Sequence, residues 1–282
     1  MKGSAIGRGP GTGDIDVSEP LIFEKKGHVV TLTINRPESR NPLGAADDPE
    51  NFSAAAARIN EDRDVRCVIL TGAGNAFSAG GNVKAMREGG EGFGGPGTHI
   101  RERYRNGIHR IVKSIWGIEV PVIAAVNGPA VGLGNDVACL CDTRIAASSA
   151  IFGATFLKIG LVPGDGGAWL LPRIIGMARA SELLYTGDTI DAETARLWGL
   201  VSEVVPADKL MQRAHDVARK ISVQAPDVLR MTKQLLRHGM TSSFDNIMEL
   251  SASMQALAHH SADHKEALEA FFGKRPPVYR GE

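Results

Sequence analysis

Apolar residues recur along the chain with two different periods. Short runs that are apolar at nearly every position come first, at Val65–Thr71 (VRCVILT) and Val120–Val126. Such runs, bounded by turn residues, predict strands buried on both faces. Leu21–Glu24 and His28–Ile34, hinged at Gly27, predict a hairpin. Arg144–Ala147 and Ile151–Phe152 predict two further short strands. Helical spacing predicts helices over Asp47–Asn60, Ile100–Ile115 and about Asn135–Cys141, and one that begins near Gly166 and passes Trp169 and Leu171. The last third reads as helices at Ala178–Tyr185, Ala192–Trp198, Ala207–Val223, Pro226–Gly239, Ser243–His259 and Ala262–Phe272, with Asp191 as N-cap of the second. Strand and helix alternate first and helices follow, which predicts an α/β protein with largely parallel strands. No repeat of about 20–50 residues stands out.

Two stretches lack periodicity. Residues 1–18, rich in Gly, Ser, Pro and Asp, predict a disordered tail. Gly89–Gly97 (GGEGFGGPG) is too irregular for a phosphate loop and predicts a mobile loop that shapes a pocket. The remainder divides into a core at 19–206 and a C-terminal helical region at 207–282.

Charge and cysteine content narrow the function classes. Lys plus Arg number 32 and Asp plus Glu also 32, with no basic stripe, so nucleic acid is not an expected partner. No apolar run approaches the ~20 residues that span a bilayer, so no membrane association is expected. The N-terminal residues lack a charged-then-apolar leader pattern. Cys67, Cys139 and Cys141 are an odd set, two of them one residue apart, which argues against a disulfide framework and for the reducing cytoplasm. The eight histidines show no metal-ligand spacing. A serine-hydrolase elbow G-x-S-x-G is missing from the sequence.

Two segments share one design of buried strand, glycine-rich turn and helix start. They are VRCVILTGAGNAFSAGGN (65–82) and PVIAAVNGPAVGLGND (121–136). Glycine lets a backbone approach a ligand closely, and N–H groups at a helix start carry partial positive charge. Two such ends facing each other would form an oxyanion hole for a carbonyl that gains negative charge. The same glycines could simply serve tight turns. Gly72-Ala73-Gly74 also follows a strand, but Phe77 stands at the third glycine position of a dinucleotide fingerprint, so that match is poor.

Six motifs extend the comparison: INRPESRNPL (34–43), VILTGAGNAFSAGGNVKAM (68–86), PVIAAVNGPAVGLGNDVACLCDTRIA (121–146), FGATFLKIGLVPGDGGAWLLPRIIG (152–176), LLYTGDTIDAETARLWGLVSEVVP (183–206) and EALEAFFGKRPPVY (266–279). In this order the chain resembles the enoyl-CoA hydratase/isomerase (crotonase) superfamily from about Leu21 to Tyr279. The resemblance implies a spiral of ββα units with a C-terminal helical region that mediates a homotrimer or a dimer of trimers. It implies an acyl-CoA thioester as substrate, polarised to an enolate, with no cofactor beyond the coenzyme A of the substrate and no metal. Carried over by position, the two oxyanion N–H groups fall on Gly81 and Leu133; the leucine side chain could narrow the pocket. Coenzyme A contacts fall along Ser39, Arg40, Ala79 and Gly81, and near the C-terminus on Phe272 and Lys274. Arg40 and Lys274 are candidate phosphate contacts or ordinary surface charges.

The family's hydratases use two glutamates as acid and base. The first position is Asp136 here, one methylene shorter, in a helix first turn where an acid is stabilising in any case. The second is Phe156, which cannot transfer a proton and would pack against the acyl chain or the core. Asp165, in VPGDGG (162–167), offers another carboxylate at the next helix start, as a catalytic group or as an N-cap. The loss of the second glutamate favours double-bond isomerisation, which needs one acid/base, while hydration is the commoner family activity. Acyl-CoA hydrolysis, C–C cleavage and CoA binding with weak catalysis remain open. Asp142 and Arg144 are expected to pair or to anchor a turn, and Cys139 and Cys141 to lie in the core.

Overall fold

In a computed structural model of the chain, residues 19–89 and 94–282 are described. The tail expected at 1–18 and the middle of the glycine-rich stretch, 90–93, lie outside the described residues.

The hairpin is β1 (Leu21–Lys26) and β2 (Val29–Ile34), paired antiparallel. Then come β3 (Pro42–Leu43), α1 (Asp48–Glu61), β4 (Cys67–Gly72), β5 (Gly80–Gly81) and α2 (Val83–Glu88). The helix expected over Ile100–Ile115 is two, α3 (Gly97–Asn106) and α4 (Ile108–Trp116). They divide at Gly107, whose φ of −105° and ψ of −97° leave the helical region. β6 (Val122–Val126), β7 (Ala130–Val131), α5 (Leu133–Leu140), β8 (Thr143–Ala147) and β9 (Ile151–Gly153) follow. α6 (Gly167–Thr186) joins two expected helices across a kink at Gly176. After β10 (Thr189–Asp191) and α7 (Ala192–Leu197) comes β11 (Glu203–Val205), a strand too short to show any period. The chain ends in α8 (Leu210–Ser222), α9 (Pro226–Gly239), α10 (Phe244–His260) and α11 (Ala262–Phe272). Asp191 caps α7 as expected, accepting from Thr194 N–H at 2.7 Å.

Six strands form the main sheet, in the order β1-β2-β4-β6-β8-β11, parallel from β2 onward. The short strands form two small sheets, β10-β9-β7 and β3-β5. Thus a long strand, a short strand and a helix recur as β2-β3-α1, β4-β5-α2, β6-β7-α5 and β8-β9-α6, and the short strands turn each unit out of the main sheet toward one region.

β4 shows why its residues are apolar throughout. Val68 and Leu70 point into the main core with α1, α4 and α5, while Cys67 and Ile69 face Leu210, Ala214 and Ala218 of α8. Each fully buried side chain of this size stabilises by roughly 1.5–3 kcal/mol. Cys139 and Cys141 are buried free thiols, pushed up to about 12 by burial.

Asp142 and Arg144 do not pair with each other. Asp142 accepts from Val122 N–H at 2.7 Å and forms ion pairs with Lys233 and Arg237 of α9. Arg144 is buried and donates to the carbonyls of Leu200 and Cys141, each at 2.6 Å, and of Ala138 at 3.3 Å. One side chain therefore closes the carboxyl end of α5 and holds the approach to β11. Among the described residues no helix is long and apolar enough to cross a membrane, and no cluster of three or more His, Cys, Asp or Glu could hold a metal ion.

Candidate active site

The two glycine-rich turns expected to face each other run side by side. Ser78 bridges Ala130 in parallel, and Val131 N–H donates to Ser78 C=O at 3.0 Å. Gly80 (φ +83°) is pressed so closely on the second turn that a Cβ there would lie 2.4 Å from Val131 O and 3.2 Å from Leu133 N. No L side chain fits that space, so glycine at position 80 is what lets Gly81 and Leu133 come together. Leu133 opens α5, and the first N–H groups of a helix have no acceptor within it. Two neighbouring donors bracket it: Gly132 N–H is used by Gly153 C=O at 2.8 Å, and Asp136 N–H by Gly132 C=O at 3.1 Å. The Leu133 side chain is 1% exposed and belongs to the main core, so it does not narrow the pocket. Phe156 is also in the core, with its ring tip 4.0 Å from where a Cβ on Gly132 would stand.

Around the start of α6 lie two carboxylates. Asp136, fully buried on α5, accepts from Gly167 N–H at 2.9 Å through Oδ2. A Cβ on Gly167 would stand 2.4 Å from Asp136 Oδ1, so the glycine is required for the contact. Asp136 therefore supplies the end of α6 with its acceptor. Asp165 does not: Gly166 is the residue at the N-cap and no side chain caps there. Asp165 is 4% exposed and its Oδ1 is buried without a hydrogen-bond partner, as is Asn135 Oδ1 beside it in sequence to Asp136.

Burial sets the electrostatics. It pushes Asp136 up to about 7, with the charge of Asp165 adding to the rise and the Gly167 N–H opposing it. It pushes Asp165 up to about 6, with His109 opposing. Near neutral pH this pair can therefore hold one proton and lack another, which is what acid–base chemistry requires.

The turn that carries Asp165 borders a cavity of about 610 Å³, lined by Ile100, Tyr104, His109, Leu161, Val162 and Gly164 among others. His109 and Tyr104 carry no sequence signal of site membership; only the break between α3 and α4 brings them to this turn. Asn135 had the one available signal, adjacency to Asp136.

The remaining expected contacts are divided. Ala79 N–H donates to Arg40 C=O at 2.8 Å, so the Ser39–Arg40 turn adjoins the Ala79–Gly81 segment. Arg40 is exposed, with φ 65°. Phe272 and Lys274 are not brought to this site: Phe272 ends α11, where it is 78% exposed and stacks edge-to-face on Phe271, and Lys274 follows the helix. Of the late histidines, His259 and His264 hydrogen-bond to each other at 3.1 Å.

Comparison with known proteins identifies the family and the fold. The model of the enoyl-CoA hydratase/isomerase family matches residues 24–282. A short-chain-enoyl-CoA hydratase of Clostridium acetobutylicum is 36% identical over 90% of this chain and 95% of its own. A 1,2-epoxyphenylacetyl-CoA isomerase of Escherichia coli is 36% identical over 93% of this chain and 98% of its own. The crystal structure of an enoyl-CoA hydratase from Bacillus anthracis superposes with a TM-score of 0.87 at 35% identity, covering 94% of this chain and all (100%) of that one.

Proposed function

The chain belongs to the enoyl-CoA hydratase/isomerase family and is an acyl-CoA-processing enzyme with its fold, and within that family we propose that it isomerises the double bond of an enoyl-CoA. The thioester oxygen would sit between the N–H groups of Gly81 and Leu133, where developing negative charge is stabilised. A carboxylate takes the α proton of a 3-enoyl-CoA, the C–H electron pair enters the enolate, and the same group returns the proton to the γ carbon. The product is the 2-enoyl-CoA.

The observation that carries this reading is Asp165: a buried carboxylate with a free oxygen, on a turn that borders a cavity. Asp136 is less available, since Gly167 N–H occupies one of its oxygens. Phe156 leaves the second glutamate position of a hydratase without an acid. Coenzyme A would lie along Ser39, Arg40, Ala79 and Gly81. Phe272 and Lys274 would contribute only from a neighbouring subunit of a homotrimer or dimer of trimers. Exposed apolar residues on the last helices, Phe244, Met248, Leu257, Leu268 and Phe271, support such an assembly. No cofactor or metal is assigned a role, and the unpaired cysteines suit the cytoplasm.

A second reading is hydration of a 2-enoyl-CoA. It is favoured by the two carboxylates at one helix start, which could divide the roles of acid and base, and by the printed name of the Clostridium relative.

Incubation with a 3-enoyl-CoA should yield the 2-enoyl-CoA, and Asp165→Asn should reduce the rate by about 10²–10⁴-fold. Isomerisation unchanged in that variant would sink the reading. Dominant hydration of crotonyl-CoA that is lost in Asp136→Asn would establish the second one. Free CoA released from saturated thioesters would indicate a hydrolase, and no turnover a binding protein.

A further inference from the structure

We propose that His109 is a positioning residue for Asp165: it clamps the Gly164 carbonyl, and so fixes the backbone of the turn that carries the carboxylate. This rests on the reading of Asp165 as the proton shuttle.

His109 Nε2 lies 2.9 Å from Gly164 O. A carbonyl only accepts, so Nε2 must carry the hydrogen, in the neutral as in the charged ring. The clamp therefore does not depend on the charge of the ring. Tyr104 limits the ring from the other side, edge-to-face with centroids 6.0 Å apart, and its Cε1 lies 3.7 Å from where a Cβ on Gly164 would be. The side chains of α3 and α4 thus enclose the turn that α6 grows from.

The titratable groups whose charge bears on Asp165 are Asp136 from α5, Tyr104 from α3 and His109 from α4. Asp136, when charged, disfavours a second negative charge, and Tyr104 is neutral at working pH, held above its ordinary value by burial and by Asp165. His109 is the one group among them that favours ionisation of Asp165. The two arginines at the cavity mouth, Arg101 and Arg105, are both engaged with Glu102.

Three proteins test this: the wild type, His109→Gln, which keeps an N–H donor but no charge, and His109→Ala, which keeps neither. The first readout is independent of turnover, namely the titration of the Asp165 carboxyl by carbon-13 NMR, assigned by its loss in Asp165→Asn. The second is the pH dependence of kcat/KM. In His109→Gln, Asp165 should titrate about half a pH unit or more higher, and the acid limb of kcat/KM should move with it. His109→Ala should in addition lower kcat by about tenfold to 100-fold with little change in KM, since misplacement of up to ~1 Å costs that much in rate. An Asp165 titration and a kcat in His109→Ala that both match the wild type would overturn the proposal. A shifted titration with an unmoved acid limb would support the role of His109 and refute Asp165 as the base.

Discussion

Asp136 and Gly167 meet at 2.9 Å, carboxylate oxygen to backbone N–H, although 30 residues separate them in the chain. The contact joins the start of α6 to the first turn of α5. It occupies one oxygen of Asp136, and Asn135 Nδ2 donates to the other at 3.3 Å. A side chain at position 167 would collide with that carboxylate, its Cβ at 2.4 Å from Oδ1. Gly167→Ala should therefore destabilise the protein by about 1–3 kcal/mol. In the double variant Gly167→Ala/Asp136→Ala the cost should be clearly less than the sum of the single costs, as read from urea unfolding. Additive costs would show that the two residues do not interact.

Stability should fall as pH rises through the weakly acidic range. Asp136 ionises near the ordinary carboxyl value of 3.8 when unfolded and at about 7 when folded, and Asp165 at about 6 when folded. Between these limits the folded state holds protons the unfolded chain has lost, so raising the pH favours unfolding. Each group contributes a slope approaching ~1.4 kcal/mol per pH unit within its own window. Asp136→Asn, which keeps an acceptor for Gly167 N–H, should flatten the part between about pH 4 and 7. Denaturant titrations at several pH values would show it, and parallel curves for variant and wild type would refute it.

Gly80 controls the distance between the turns that bear Gly81 and Leu133. Gly80→Ala forces a Cβ against Val131 O and should separate them. Turnover should drop by about 100-fold, the cost of ~1 Å of misplacement. Retention of wild-type kcat in a folded Gly80→Ala protein would remove the proposed oxyanion role from this pair.

Arg144 donates from a buried position to carbonyls of α5 and of Leu200. Arg144→Ala should cost about 3 kcal/mol or more, because several buried carbonyls lose a charged donor together. Thermal unfolding would measure it. A change under about 0.5 kcal/mol would mean that water replaces the guanidinium without cost.

The longer strands and most helices, the paired glycine turns and the family were legible in the sequence because they depend on residues near one another in the chain. Continuous apolar runs can be buried only on two faces, as β4 is. Glycine at 80 and 132 marks turns whatever surrounds them. The substitutions at 136 and 156 were legible for the same reason, since motif position alone locates them. Tertiary structure decided what those residues do. Asp136 spends an oxygen on Gly167, Asp165 is left with an unpartnered one, and Leu133 turns its side chain into the core. His109 and Tyr104 join the site only through the break at Gly107 and the packing of α3 and α4 on the Gly164 turn. Arg144, expected to pair with Asp142 or to anchor a turn, donates to the nearby carbonyls of Ala138 and Cys141 and to the distant one of Leu200. Local pattern determines which elements form, since burial periodicity is a property of a segment. The partner of a buried polar group is determined by which elements meet across the core, and no segment carries that alone.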